Sequence, residues 1–355
     1  MSLSAEEMNT QLPLANQLPG ELLPYYMGSG EGARYEFNGH LVTVVARAAD
    51  TGGMFSAAFL SGGMGAEAPF MVHSIEHKTL YVFDGILHVW LGGEARILTP
   101  GDTVVIPPGT PYSYRMASHY TRFLSFMTPG GGEEFYRRAG TPVDGHVPAA
   151  APGARLSRGR LADAGAEFGL AFPDLPRGEA LMRHQAGLPA GVDPYFLSAG
   201  EGDRLASYET MFTYLSRSAN TEANYFAIHT KAGKSPYIPA HFHRRHTENF
   251  FCTEGRMWLY VNGKEVLLTK GDFVHAPAGT IHSFAFDAHN TQMIGFLTPA
   301  VFDGFFEYFN TPTEDYMYAE GGEPYFDMAG FGRAQAELDL VVVGPPPQRR
   351  AALDI

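Results

Sequence analysis

Short stretches in which apolar and polar residues alternate recur along the whole chain. In the first half they cover residues 41–46, 79–83, 87–91 and 103–106, and in the second half 225–229, 250–253, 257–261 and 273–275. β-Branched and aromatic residues are frequent in them, and Gly, Pro or an Asn-Gly pair (Asn262 and Gly263) separates them. This pattern predicts antiparallel strands joined by hairpins. We therefore predict an all-β fold with Greek-key or jelly-roll packing.

One segment has a helical period instead. Phe302, Phe305, Phe306 and Phe309 follow the spacing i, i+3, i+4, i+7, which predicts the apolar stripe of a short helix. We expect this helix to pack on the outside of a barrel. A lid over a pocket mouth is the alternative.

The strand pattern occurs twice because the sequence itself is repeated. Residues 24–34 match 194–204, and residues 101–110 match 271–280, each pair at an offset of 170. Two copies of this size can each bury a core, so the repeat indicates domain duplication and not a solenoid. We predict one domain at 1–145 and a second at 171–345. The segment 146–170 between them is rich in Ala, Gly, Pro and Arg, and we interpret it as a linker.

Composition excludes several classes of protein. A hydrophobic content of 45% and a charged content of 18% are typical of a globular protein. The net charge of −13 and the absence of Lys/Arg clusters argue against nucleic acid or an anionic membrane as a partner. No apolar run is long enough to span a bilayer. The chain has one cysteine, Cys252, which we expect to be a small core residue, so no internal disulfide forms. The first residues lack the pattern of a secretory signal, and we expect a cytoplasmic protein.

Four residues of the second repeat predict a metal centre: His241, His243, Glu248 and His282. Imidazoles with a carboxylate suit Fe, Mn, Co, Ni, Cu or Zn better than Ca or Mg. His241 and His243 share one face of a strand, whereas Glu248 has the opposite parity, so the chain must bend between Arg244 and residue 247. Four protein ligands in an octahedron leave two positions for a substrate and dioxygen.

Other histidines fit a structural explanation better. A lone His-X-His pair on a strand is often a surface pair, and only the added Glu248 and His282 make the set persuasive. We expect His246, a fifth candidate ligand, to be an exposed loop residue. We expect three further histidines to be packing or surface residues: His229, His275 and His289.

The first repeat lacks most of these ligands. At the equivalent positions, 170 residues earlier, it has Met71, His73, Lys78 and Tyr112. The ammonium group of Lys78 would repel a metal ion strongly at short range. We therefore expect one divalent transition metal per chain (Fe, Mn, Co, Ni or Cu), held by the second repeat. A lysine-assisted site of another kind is the alternative for the first repeat.

The spacing in the second repeat resembles a known family. His-X-His-X4-Glu-X6-Gly from His241 to Gly255, followed by Gly-X5-Pro-X-Gly-X2-His from Gly271 to His282, is similar to the two cupin motifs. Phe286 stands where these motifs usually have Asn. The duplication, the opening segments 24–34 and 194–204, and residues 113–122 resemble the bicupin quercetin 2,3-dioxygenases, particularly the bacterial type. The resemblance extends from about residue 23 to 343.

This resemblance implies two tandem cupin barrels and cleavage of a flavonol heterocyclic ring by O2 with release of CO. It also implies that Glu248 serves as a metal ligand and as the general base. Strand parity places Phe250, Phe284 and Phe286 beside the ligands, and we expect them to line a pocket for a small aromatic substrate. Another enolisable aromatic substrate, a non-oxidative cupin isomerase and a non-catalytic binding protein are the alternatives. Dimers are common among such folds, so a homodimer is compatible with the sequence.

Overall fold

A computed structural model describes residues 12–150, 155–321 and 327–349 of the chain. None of the helices within these ranges is both long enough and apolar enough to cross a membrane. The prediction of an all-β protein is confirmed, because strands dominate and only short helices occur between them.

The strands are numbered here in chain order. Those of the first half are β1 (Tyr25–Met27), β2 (Ala33–Phe37), β3 (His40–Ala46), β4 (Ser56–Gly62), β5 (Glu67–His73), β6 (His77–Asp84), β7 (Leu87–Leu91), β8 (Glu94–Leu98), β9 (Thr103–Ile106), β10 (Tyr112–Met116), β11 (Thr121–Thr128), β12 (Thr141–Pro142), β13 (Leu170–Ala171) and β14 (Tyr195–Leu197). Those of the second half are β15 (Asp203–Ser207), β16 (Thr210–Ser216), β17 (Phe226–Ala232), β18 (Ala240–Phe242), β19 (Thr247–Glu254), β20 (Met257–Val261), β21 (Lys264–Leu268), β22 (Phe273–Ala276), β23 (His282–Phe286), β24 (Thr291–Thr298), β25 (Thr311–Pro312) and β26 (Val341–Gly344). The α-helices are α1 (Ala48–Thr51), α2 (Glu134–Ala139), α3 (Arg158–Ala166) and α4 (Met328–Glu337), and 3-10 turns occur at Ser218–Asn220 and Phe305–Tyr308.

The described residues form two compact units. The N-terminal unit comprises 30–202 and 219–224, and the C-terminal unit comprises 12–29, 203–218 and 225–349. Each unit has an eight-stranded and a five-stranded sheet, and the named strands pair antiparallel. In the N-terminal unit the orders are β12-β2-β3-β4-β11-β6-β9-β14 and β13-β5-β10-β7-β8. In the C-terminal unit they are β25-β15-β16-β17-β24-β19-β22-β1 and β26-β18-β23-β20-β21, the same orders with each strand replaced by its repeat.

Each eight-stranded sheet receives one edge strand from the other sequence repeat. β1 lies in the opening segment of the first repeat, but it pairs with β22 of the C-terminal unit, where Tyr25 lies opposite His275. β14 opens the second repeat, but it pairs with β9 of the N-terminal unit, where Tyr195 lies opposite Val105. Both tyrosines are buried. The repeated opening segments are therefore exchanged between the two units.

The segment 146–170 is more than the linker that its composition suggested. It contains helix α3, capped by Ser157, whose side chain accepts a hydrogen bond from the Arg160 amide at 3.3 Å. Leu161 and Leu170 pack into the core of the N-terminal unit. Helix α4 starts 170 residues after α3, so both repeats end in a helix followed by a strand. The domain limits at 145 and 171 stay predictions, but the helix and strand belong to the fold of the first repeat.

The phenylalanine stripe does not form a regular α-helix. Only Phe305–Tyr308 is helical, as one 3-10 turn. Gly304 before it has a φ of 92°, a left-handed conformation that a continuing right-handed helix excludes. Phe302 lies outside the turn and is 2% exposed. The expectation of a short helix bearing all four rings was therefore wrong.

Candidate metal centre

The four predicted ligands lie together inside the C-terminal unit. In the five-stranded sheet, His241 on β18 pairs directly with His282 on β23. In the eight-stranded sheet, Glu248 on β19 lies opposite Ala276 on β22. The Glu248 carboxylate lies 3.3 Å from Nε2 of His243 and 3.1 Å from Nε2 of His282. One ligand atom from each of the four residues falls within 4.8 Å of the others. The two sheets therefore bring three imidazoles and one carboxylate to a single point.

The three imidazoles share one orientation. Each ring lies with Nδ1 at hydrogen-bond distance from a backbone carbonyl, to which the Nδ1–H tautomer donates. The pairs are His241 with Pro239 O at 2.8 Å, His282 with Thr280 O at 2.9 Å and His243 with Asp339 O at 2.5 Å. In that tautomer each Nε2 presents a lone pair to the common point, as metal-binding histidines do. Nε2 of His243 is buried and has no hydrogen-bond partner of good geometry among the described residues. This donor set fits a divalent transition ion.

Charges in the centre favour a bound cation. Burial favours the neutral acid, but His243 and His282 outweigh burial and hold the pKa of Glu248 well below its usual range. Burial alone would lower the pKa of His243, but Glu248 and Asp339 raise it above its usual value. Burial, with the neighbouring His282 and His243 rings, holds the pKa of His241 well below its usual value. The carboxylate is thus ionised at neutral pH and is available to a cation.

The bend between His243 and Glu248 is held by Asp339, which precedes β26. Its carboxylate accepts hydrogen bonds from the backbone amides of Arg244 at 2.9 Å and Arg245 at 2.8 Å. The predicted change of parity between the two ligands is thereby accommodated. Two amides turned away from the sheet ladder would otherwise be left without a partner. Sequence reasoning missed Asp339, since its counterpart in the first repeat is Gly169.

His246 is buried, so the expectation of an exposed loop residue was wrong. It is 1% exposed, and its Nδ1 lies 2.9 Å from the Asp339 carboxylate. Its ring lies 4.0 Å from that of His243 and stacks on Phe302 at 4.8 Å. Burial lowers the pKa of His246 to about 4, despite the hydrogen bond to Asp339. A neutral His246 therefore buttresses the His243 ring. The equivalent residue of the first repeat is Glu76, so comparison of the two repeats does not predict this role.

Comparison with known proteins identifies the family of this chain. The cupin domain family matches residues 63–126 and 228–294. A quercetin 2,3-dioxygenase of Bacillus subtilis (strain 168) is 38% identical over 307 residues, which cover 85% of this chain and 90% of the relative. This chain belongs to the bicupin quercetin 2,3-dioxygenase family.

Other relatives agree with this membership. A quercetin 2,3-dioxygenase of Aspergillus japonicus is 32% identical over 80 residues, 21% of this bicupin and 23% of the relative. An oxalate decarboxylase of Bacillus subtilis superposes with a TM-score of 0.52 at 14% identity, over 77% of this chain and 76% of that chain. At that identity the likeness concerns the fold alone. Family membership supports a cupin dioxygenase.

Of the three phenylalanines predicted to line a pocket in this bicupin, Phe250 lies beside a predicted ligand, and Phe284 and Phe286 follow it in a chain of ring contacts. Phe250 contacts His282 with ring centroids 5.7 Å apart, and Phe284 lies 6.3 Å from Phe250. Phe284 is half-buried, whereas Phe250 and Phe286 are 3% and 4% exposed. All three also pack in the apolar core of the unit. Their role in binding a substrate stays a prediction.

The remaining histidines and the cysteine have structural surroundings. His229 and His275 are buried, and His275 Nδ1 lies 2.7 Å from Oδ1 of Asn249. His289 is exposed. Cys252 is fully buried, and burial raises the pKa of its thiol to about 12. This agrees with a core residue and argues against a nucleophile.

Proposed function

We propose that this bicupin is a metal-dependent dioxygenase that cleaves the heterocyclic ring of a flavonol with O2 and releases CO. The Bacillus subtilis relative, which matches this chain over 90% of its own length, is a quercetin 2,3-dioxygenase. The observation that carries the proposal is the convergence of His241, His243, Glu248 and His282 within 4.8 Å. The backbone carbonyls behind the rings support a ligand set that is preorganised for a metal ion.

The four residues have distinct roles in this proposal. His241, His243 and His282 would hold one divalent transition metal through Nε2. A bound ion of this kind would supply Lewis-acid chemistry at the substrate hydroxyl. Glu248 is the group placed to receive the hydroxyl proton, because its carboxylate is ionised and shares the centre with the imidazoles. The ring of Phe250, which contacts His282, would keep water away from a flat aromatic substrate bound beside it.

The proposal is tested by three measurements on purified protein: metal per chain, O2 uptake with quercetin, and CO release. We expect one transition metal per chain, O2 uptake and equimolar CO. His243→Ala should lose the metal and the turnover, whereas His73→Ala should keep the metal. O2 uptake without CO would replace the flavonol proposal with a dioxygenase of another enolisable aromatic. A chain without metal would overturn the proposal.

A further inference from the structure

The first repeat places its three substituted residues, Met71, Lys78 and Tyr112, at the same strand positions as the predicted ligands that they replace. Tyr112 pairs with Met71 in the N-terminal unit, as His282 pairs with His241 in the C-terminal unit. Lys78 lies opposite Ile106 of β9, at the register that Glu248 takes opposite β22. The substitutions have therefore changed the side chains without changing the backbone pairing on which they are carried.

The Nζ atom of Lys78 lies among the donor atoms that remain in the first repeat. It is 3.0 Å from Nε2 of His73 and 2.7 Å from the Tyr112 hydroxyl. The Tyr112 hydroxyl is itself 3.0 Å from the same His73 nitrogen, which closes a triangle of polar atoms. In the C-terminal unit, the equivalent nitrogens of His243 and His282 face the Glu248 carboxylate. Lys78 thus stands where the C-terminal unit has the predicted ligand Glu248, and its Nζ atom lies between the ring nitrogen of His73 and the hydroxyl oxygen of Tyr112.

The orientation of His73 points to a cation at this position. Its Nδ1 lies 3.0 Å from the Glu76 carboxylate, which leaves Nε2 to accept a hydrogen bond from Lys78. Glu76 also supplies the negative charge that a buried ammonium needs. Lys78, His73 and Tyr112 are 2%, 7% and 1% exposed, so water cannot solvate the charge. A buried cation without such partners would be strongly destabilising.

We infer that the ammonium group of Lys78 occupies the cation position of the N-terminal cupin, so that this unit carries its own cation and excludes a metal ion. Two effects exclude the metal. The Nζ atom fills the space between the donors, and its charge repels a second cation at contact distance. Met71, 2% exposed and packed in the core, supplies no nitrogen or oxygen in place of His241. Burial lowers the pKa of Lys78 to about 7, against the opposing effect of Glu76, so the ammonium form predominates below that pH, whereas Nζ fills the space between His73 and Tyr112 in either form.

The test restores ligands to the first repeat in a full-length chain whose C-terminal site is silenced by His241→Ala and His243→Ala. In this background the metal count belongs to the N-terminal unit alone. Adding Met71→His and Tyr112→His supplies three imidazoles while retaining Lys78, and we expect no bound metal. Adding Lys78→Glu to these two changes should raise the count from zero to one metal per chain, by elemental analysis after dialysis against Zn²⁺ or Mn²⁺.

Two results of that experiment would overturn the inference. One is a metal bound by the variant that retains Lys78, and the other is the absence of metal from a folded variant carrying Lys78→Glu. Because the C-terminal site is silenced throughout, neither result depends on whether the proposed flavonol cleavage is right. Circular dichroism establishes that each variant is folded.

A second measurement keeps the inference falsifiable if the restored variants do not fold. Lys78→Met, Tyr112→Phe and the double variant form a cycle in an otherwise unchanged chain. We expect each single change to lower the midpoint of urea unfolding, and the double change to lower it by less than the sum. Lys231→Met, at a partly buried lysine of the C-terminal unit, controls for the generic effect of the replacement. Additive shifts would show that Lys78 does not serve the Tyr112 hydroxyl and would overturn the inference.

Discussion

The carboxylate of Asp339 lies 2.9 Å from Nδ1 of His246, and the backbone carbonyl of the same aspartate accepts the Nδ1 hydrogen of His243. One residue near the end of the described chain therefore orients His243, a predicted metal ligand, and the ring packed against it. Both contacts join residues that are far apart in the chain, because Asp339 precedes β26 whereas both histidines follow β18. The precision of the centre depends on this long-range contact.

Asp339→Ala is expected to weaken metal binding. The change removes the acceptors of two backbone amides and of His246, so the bend between His243 and Glu248 loses its support. Loss of such an outer partner typically costs about 10- to 100-fold in metal affinity. Competition between the metal-free protein and a chromogenic chelator measures the change.

Asp272→Ala is the matched control for this prediction. Its carboxylate also accepts two backbone amides, those of Thr269 and Ser29, each at 2.7 Å, and it is likewise buried. It directly precedes β22 in the same unit, and its hydrogen-bond partners among the described residues include none of the four predicted ligands. We expect a comparable loss of stability with an unchanged metal affinity. Equal losses of affinity in both variants would reduce Asp339 to a general stabilising residue.

Glu248→Gln should separate metal binding from turnover. The amide oxygen can still coordinate, and the three imidazoles remain, so we expect close to one metal per chain. The amide cannot accept the substrate proton, and loss of a general base costs about 100- to 10,000-fold in rate. The rate of quercetin consumption measures the turnover, and elemental analysis of the same sample measures the bound metal. Full turnover in a metal-loaded variant would show that another group receives the proton.

Metal binding should become weaker as the pH falls. In the metal-free protein, Glu248 and Asp339 raise the pKa of His243 above 6.5, against the effect of burial, so a proton occupies this ring at pH values below that raised pKa. The metal must displace this proton, whereas Glu248 is already ionised across the same range. Calorimetric titration at pH 6.5 in two buffers of different ionisation enthalpy should reveal net proton release. An identical apparent enthalpy in both buffers would contradict the prediction.

Phe302→Ala should destabilise the C-terminal unit. The ring is 2% exposed and lies 4.8 Å from both His243 and His246, so its removal leaves a cavity beside the centre. Buried Phe-to-Ala changes cost about 3–5 kcal/mol in the free energy of unfolding. Urea denaturation of the metal-loaded protein measures this cost. Phe309→Ala, at a partly buried ring, should cost clearly less.

Much of the fold could be predicted from the sequence because the signals were local or repeated. Alternating strands follow from the period of two, and the turn at Asn262 and Gly263 has the positive φ values of 45° and 86° that an Asn-Gly hairpin requires. His241, His243 and Glu248 lie close in sequence, and the turn pattern before His282 added the fourth ligand, so the spacing of the four predicts a common centre. The bend before Glu248 followed from side-chain parity.

The features that the sequence did not reveal depend on distant contacts. Asp339 lies far along the chain from His246, and no spacing pattern connects the two. Helix α3 is dominated by Arg, Gly and Ala, and few of its residues are buried, Leu161 being the large apolar one, so its apolar stripe was too narrow to distinguish from a linker. The 3-10 turn depends on the backbone of Gly304, which the spacing of the phenylalanines does not report.

The exchange of β1 and β14 makes neither sequence repeat self-sufficient. A C-terminal fragment that begins after residue 170 would keep β22 but lose Tyr25–Met27, the strand that covers the edge of β22. It would then expose unpaired amides and carbonyls together with the faces of Phe273 and His275, against which Tyr25 packs. Exposed edges of this kind recruit strands from other molecules. The covalent link between the repeats thus keeps this edge covered, and we expect a chain of one repeat to cover it by exchanging the strand with a second copy.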